Sequence, residues 1–172
     1  MTRSRFRPSD APTPGLFREA MSRFPTGVTV VTCSGGKSLK LGVTISSFTG
    51  VSLKPPLILF CLDEKARVLP AFKNRAGFAV HVLAEDQAEL AQKFSRAGAL
   101  DWKKIRHKKS SDGAPVLEGA MVVLHCRLQK KVKAGDHAVI IGRITGIEIN
   151  QKKPRPLLHT QRNYWALGKK RK

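Results

Sequence analysis

The chain has 172 residues, 41% of them hydrophobic, and 32 Lys and Arg stand against 12 Asp and Glu for a formal net charge of +20. That size bounds it to one domain with a sizeable core; no apolar run nears the roughly 18–20 residues of a membrane span, and MTRSRFRPSDAPTPG lacks the apolar centre of a secretory signal, so a soluble, cytoplasmic protein is expected. The charge attracts phosphorylated ligands and polyanions, but with only 6% aromatics the chain lacks the interleaved stacking surface of a specific nucleic-acid site.

In chain order, residues 1–13 read as a basic, flexible tail. Thr13 then suits an N-cap with Pro14 in the first helical position, and Leu16, Phe17, Ala20, Met21 and Phe24 share one helical face. Pro25-Thr26-Gly27 closes that helix. VTVVTC (28–33) predicts a strand, SGGK a turn and LGVTIS a second strand, followed by buried strands at LILFCL (57–62) and GFAVHVL (77–83). VLPAFKNR predicts a short helix, EDQAELAQKF (85–94) a clearer one, and residues 98–119 read as loop with a turn at DWKK. Two long strands, AMVVLHCRLQKKVKA and HAVIIGRITGIEI, meet at Gly135, which suits the positive φ of a hairpin turn. PLLH and NYWAL predict a last short strand and its exit, so the domain spans 14–168 with a basic tail at 169–172. Antiparallel strands with few helices predict a mainly β fold, a barrel rather than a doubly wound sheet.

Several patterns carry no chemistry. SGGKS lacks the earlier glycine of a phosphate-binding loop, since position 31 is valine, and strand rather than helix follows it. The five histidines show no metal-ligand spacing, so no metal site is expected. Cys33, Cys61 and Cys126, odd in number and each among β-type residues, read as buried core thiols.

One stretch asks for more. GVTISSFTGVSLKPPLILFCL (42–62) sets Thr44, Ser46, Ser47, Thr49 and Ser52 in an otherwise apolar segment. Alternation puts Thr44 and Ser46 on one face, where several hydroxyls together can ring a phosphate or polar heterocycle. The proline pair stops the ladder, and an irregular SLKPP would leave backbone groups free for a ligand. Gly135-Asp136-His137 offers an imidazole at a strand's mouth, able to donate a hydrogen bond or hold a proton.

Taken with FREAMSRFPTGVTVVT, FAVHVLAEDQAELAQKFS, GAPVLEGAMVVLHCRL and GDHAVIIGRI, this stretch resembles the flavin reductase-like family of FMN-binding split barrels, over about residues 17–167. The resemblance implies a Greek-key split barrel and an NAD(P)H:flavin oxidoreductase, using FMN or FAD with NADH or NADPH and supplying reduced flavin to a partner monooxygenase. It places Thr44, Ile45, Ser46 and Ser47 along the ring and ribityl chain, and Ser52, Leu53 and Lys54 at the isoalloxazine edge. Arg67, Lys93 and Phe94 fall near the phosphate and His137 beside the nicotinamide or the flavin's reactive face. It also implies a homodimer with flavin near the subunit interface, Tyr164 or Trp165 closing the pocket.

The chain departs from the family pattern at Lys54, where an acidic residue is usual, at His81, where Asn is common, and at Ala66-Arg67, where a hydroxyl-containing pair is frequent. Two other readings stay open: an FMN-holding barrel passing electrons to a metal ion or another acceptor, and a non-enzymatic flavin or polyanion-binding module.

Overall fold

The computed structural model describes residues 12–36, 39–73, 76–96, 100–152 and 154–168. Helix α1 (Pro14–Ser22) opens as its sequence predicts: the Thr13 hydroxyl accepts from the Leu16 N–H at 3.2 Å. Strands β1 (Thr26–Gly27), β2 (Thr29–Ser34), β3 (Lys40–Ile45), β4 (Thr49–Leu53), β5 (Pro56–Asp63) and β6 (Gly77–Val82) follow. Helix α2 (Ala88–Ser95) precedes a short pair, β7 (His107–Lys109) and β8 (Pro115–Leu117). The long hairpin β9 (Val122–Ala134) and β10 (His137–Ile149) comes next, then β11 (Leu157–Thr160) and β12 (Asn163–Ala166). The predicted terminal tails lie almost wholly outside the described residues.

The main sheet runs β3-β2-β6-β9-β10-β5-β4, antiparallel throughout. Inward side chains from six of these strands, among them Val31, Ile45, Phe60, Phe78, Cys126 and Ile140, form one buried cluster. A single cluster fed by so many strands requires the sheet to curl around it. Register shifts at Ile141/Gly142 and Ile144/Gly146 help the long hairpin bend. Phe60, Phe72 and Phe78 fill the centre, with ring centroids 5.8, 5.7 and 5.3 Å apart. Strands β3 and β4 remain unpaired with each other among the described residues, so the barrel is split at that seam. A second cluster outside the barrel packs Ala91 and Phe94 of α2 onto Val28, Val30 and Leu83.

Several local expectations need correction. The helix predicted over 85–94 is α-helical only from Ala88, because Glu85–Gln87 forms a 3-10 turn. Within 98–119, read as loop, β7 and β8 pair over three residues each, too short for a period to show. The prolines do not end the sheet. Lys54 and Pro55, joined by a cis peptide, make a two-residue turn, and Pro56 opens β5 opposite Leu53.

Cys33 and Cys126 are core thiols, pushed up to about 12 by burial and so inert. Cys61 departs from that expectation: it is only half-buried, one position out of phase with Phe60 and Leu62, which face the core. Among the described residues, no helix is long and apolar enough to cross a membrane.

Candidate active site

A cleft of about 620 Å³ lies beside β3. Its walls are residues 40–43, Asp63 at the end of β5 with 65–68 after it, the end of α2 at 94–96, and Trp102. Four cations, Lys40, Lys65, Arg67 and Arg96, line it against one carboxylate, Asp63. That carboxylate is turned on its own loop, Oδ1 accepting from the Lys65 N–H at 2.7 Å. The cleft is therefore electropositive, and its apolar wall is aromatic: Phe94 meets Trp102 edge-to-face at 5.5 Å.

The rim is pinned by polar contacts. Trp102 Nε1 donates to the Lys40 carbonyl at 2.9 Å. Lys40 Nζ stands 2.8 Å from His107 Nε2, while His107 Nδ1 is 2.6 Å from the Ile105 carbonyl. A carbonyl can only accept, so Nδ1 carries the proton and Nε2 accepts from the ammonium. His107 thus holds the Lys40 charge at the cleft mouth.

The hydroxyl-rich stretch divides by partner. Thr44 Oγ1 donates to the Ala91 carbonyl at 2.6 Å, tying β3 to α2. Ser47 Oγ accepts from the Cys61 N–H at 2.9 Å and faces the Cys61 carbonyl at 3.4 Å. That hydroxyl extends the β4–β5 ladder past its last backbone pair, Thr49 with Leu59. Ile45 is core, 5% exposed. Ser46 and Ser52 are exposed and make no side-chain hydrogen bond among the described residues.

The SLKPP backbone is irregular only at its cis Lys54-Pro55 turn; Ser52 and Leu53 belong to β4, which bulges at Val51. Strand β4 is an edge strand, so one line of its N–H and C=O groups lacks a strand partner among the described residues. Leu53, 82% exposed, and Lys54 project at its tip.

His137 pairs across β10–β5 with Asp63, and the neighbouring Asp136 carbonyl accepts from the Glu64 N–H at 3.0 Å. The long hairpin is thereby strapped to the loop that carries Lys65 and Arg67. His137 Nδ1 lies 2.7 Å from Asp136 Oδ1, and this hydrogen bond holds the Asp136 carboxyl below its usual range. The carboxylate fixes the imidazole with Nδ1 protonated and leaves Nε2 for a ligand.

Of the sequence candidates, Arg67 and Phe94 line the cleft, whereas Lys93 sits exposed on α2 outside its walls. Tyr164 and Trp165 stand on β12 in the three-stranded sheet, also outside those walls. Sequence reading missed Lys40, Lys65, Arg96 and Trp102 as cleft residues. Lysines and arginines are too common in this chain to stand out, and Trp102 lay in a segment without a period.

Residues 21–168 match the family model described as flavin reductase like domain. The chain belongs to this family. Among family relatives, actinorhodin polyketide dimerase of Streptomyces coelicolor is 37% identical over 153 residues, 89% of this chain and 86% of that one. FMN reductase (NADH) SmoA of Agrobacterium fabrum is 39% identical over 132 residues, 74% and 72% of the two chains. The solved structure of Streptomyces globisporus NADH:FAD oxidoreductase SgcE6, in complex with NAD and FAD fragments, has a TM-score of 0.84 at 29% identity, covering 93% of this chain and 98% of that one. The split barrel is the fold of these flavin reductases. The residues here fit a flavin: cations suit its phosphate, and an aromatic and aliphatic wall suits its carbon skeleton. Two exposed hydroxyls beside an edge strand suit its polar ring edge.

Proposed function

We propose that the chain is an NAD(P)H-dependent flavin reductase that takes FMN or FAD at the seam between β3 and β4 and supplies reduced flavin to a partner monooxygenase. The observation that carries this reading is the four-cation cleft between β3 and the loop after β5 within a flavin reductase fold. A bound flavin supplies a hydride acceptor at its N5, and the protein supplies position and electrostatics.

In this reading Lys65 and Arg67 hold the flavin phosphate. Ser46, Ser52 and the free backbone of β4 meet the polar edge of the ring. Thr44 and Ser47 act one step back: each fixes backbone, at α2 and at β5, from which ligand-facing groups project. Ile45 anchors the segment from the core side, and Leu53 and Lys54 cover the ring from the hairpin tip. His137, oriented by Asp136, presents Nε2 toward the nicotinamide. Holding two planar rings in register removes much of the entropic barrier to transfer.

A second copy of the chain completes the assembly. Helix α1 buries none of its own residues, and its apolar face stays open, with Phe17 60% and Met21 52% exposed. A homodimer covers that face, and the nicotinamide pool it draws on places it in the cytoplasm. The test is NADH and NADPH oxidation by the purified chain with and without added FMN or FAD. Turnover that rises with free flavin supports a reductase. Flavin that stays bound and is reduced without release points instead to electron transfer to another acceptor.

A further inference from the structure

We propose that the outer edge of β7, with the turn that leads into it, is a docking surface for an acidic, extended segment of another protein, the one that receives the reduced flavin. That this partner is the flavin acceptor rests on the reading above; the surface itself does not. Residues 103–109 carry five cations, Lys103, Lys104, Arg106, Lys108 and Lys109, and all five are exposed. Two meet a carboxylate, Lys104 with Asp101 at 3.5 Å and Lys108 with Glu148 at 3.0 Å. Lys103, Arg106 and Lys109 make no ion pair among the described residues. The stretch therefore presents a net positive edge to solvent.

The backbone under these charges is fixed. Strand β8 is tied to the barrel by the Leu117 N–H, which donates to His81 Nε2 at 3.0 Å, and β7 has β8 as its one strand partner among the described residues. Ile105 is buried, and Asp101 Oδ1 accepts from the Lys103 N–H at 3.2 Å. Cations on a backbone already ordered bind without the cost of ordering it. The chemistry of the occupant follows by exclusion. A second copy of this chain would set lysine against lysine, the device by which edge strands repel their own kind. Single-stranded nucleic acid wants an aromatic face free for stacking, and the Trp102 ring is already engaged by Phe94 at 5.5 Å and His107 at 5.2 Å. A lipid surface wants large apolar side chains to insert, and none of residues 101–110 is an exposed one. An acidic extended segment meets both features present, adding to the free edge of β7 while its carboxylates meet the cations. The place suits the partner named: His107, the first residue of β7, stands 2.8 Å from Lys40 Nζ at the cleft mouth. A protein docked on β7 faces the opening that releases reduced flavin.

The experiment is fluorescence anisotropy of labelled poly-glutamate with the full chain, repeated with duplex DNA and with phosphatidylserine vesicles as competitors. Two triple variants are compared, each losing three exposed cations: Lys103→Gln, Arg106→Gln and Lys109→Gln in one, and Lys130→Gln, Lys131→Gln and Lys133→Gln at the far end of β9 in the other. The expected result is that the first weakens poly-glutamate by about tenfold at low salt and little at high salt, while the second stays within about twofold. Competition by DNA and by vesicles should differ less between the native chain and the first variant. No binding of poly-glutamate to the native chain, or equal losses in the two variants, overturns the surface, the second because net charge alone would then explain the binding. A loss as large for DNA or for vesicles as for poly-glutamate overturns the acidic protein as its occupant. NADH oxidation with added FMN should stay within about twofold in the first variant; a loss there would place these cations in the flavin site and overturn the proposal. If no flavin stimulates the native chain, the flavin reading fails, and the poly-glutamate titrations still decide the surface.

Discussion

A Cβ placed on Gly42 would lie 2.4 Å from Cε1 and 2.6 Å from Cδ1 of Phe94. The ring of Phe94, 3% exposed, therefore rests on the bare backbone of β3. Helix α2 cannot withdraw to make room, because Thr44 Oγ1 binds the Ala91 carbonyl at 2.6 Å on the next turn. Gly42→Ala must push the ring toward Trp102 and into the cleft. We expect a loss of about 1–3 kcal/mol in urea denaturation, the usual cost of overpacking, together with weaker flavin binding. Adding Phe94→Leu should recover part of both losses. Strict additivity of the two changes would mean the glycine serves something other than this contact.

The hydroxyls of the 44–52 stretch separate into two experiments. Ser47→Ala removes the side chain that meets the Cys61 N–H and carbonyl on that edge. It should cost about 1–2 kcal/mol of stability, with flavin affinity changed only as far as the edge loosens. Ser46→Asp is exposed and should leave the urea midpoint in place, yet cripple flavin binding by setting a carboxylate against the ligand. Flavin affinity unchanged in Ser46→Asp would remove Ser46 from the site.

Asp136 and His137 form a dyad at the hairpin mouth, 2.7 Å apart. If Nε2 of His137 meets the nicotinamide, His137→Ala should lower kcat/KM for NADH by about tenfold to a hundredfold, the worth of one well-placed hydrogen bond in a transition state. FMN affinity should stay within about twofold. Asp136→Asn keeps the imidazole but loosens its tautomer, so a smaller fall and an altered pH–rate profile are expected. A fall in flavin affinity that tracks the fall in rate would instead make His137 part of the flavin pocket.

The barrel was legible in the sequence because its strands carry strong local signals: β-branched runs at β2, β5 and β6, and a long pair joined at Gly135, whose φ of +63° matches the turn. The 44–52 stretch was legible as an anomaly, hydroxyls in an apolar run. What each hydroxyl does was not, because Thr44 answers to Ala91 and Ser47 to Cys61, partners set by packing. The cleft was the least legible part. Lys40 is distant in sequence from Arg96 and Trp102 and joins them in one cleft wall only because α2 and Trp102 are bonded to β3. His81 shows the same limit: a departure from the family pattern by sequence, and a fully buried structural residue in the fold.

His81 makes stability depend on pH in a direction that can be worked out. Its Nδ1 donates to the Val30 carbonyl at 2.9 Å and its Nε2 accepts from the Leu117 N–H at 3.0 Å, so the neutral ring joins β2, β6 and β8. Burial lowers its pKa to about 4 from an ordinary 6.5, against the opposing pull of the Val30 carbonyl. Between those values the unfolded chain binds a proton that the folded chain refuses. Stability should therefore fall as pH drops through about 6.5 and stop falling on this account below about 4. The full loss is about 3 kcal/mol at the conversion of one pKa unit to 1.36 kcal/mol. Other groups titrate in the same window, so the measurement is a difference: urea unfolding of the native chain and of His81→Gln at pH 7.5, 5.5 and 4. Glutamine can donate to Val30 and accept from Leu117 without titrating. At pH 7.5 the native chain should be the more stable, and the gap should shrink or reverse toward pH 4. A gap constant across that range would mean that the ring takes up its proton without opening the contact between β6 and β8.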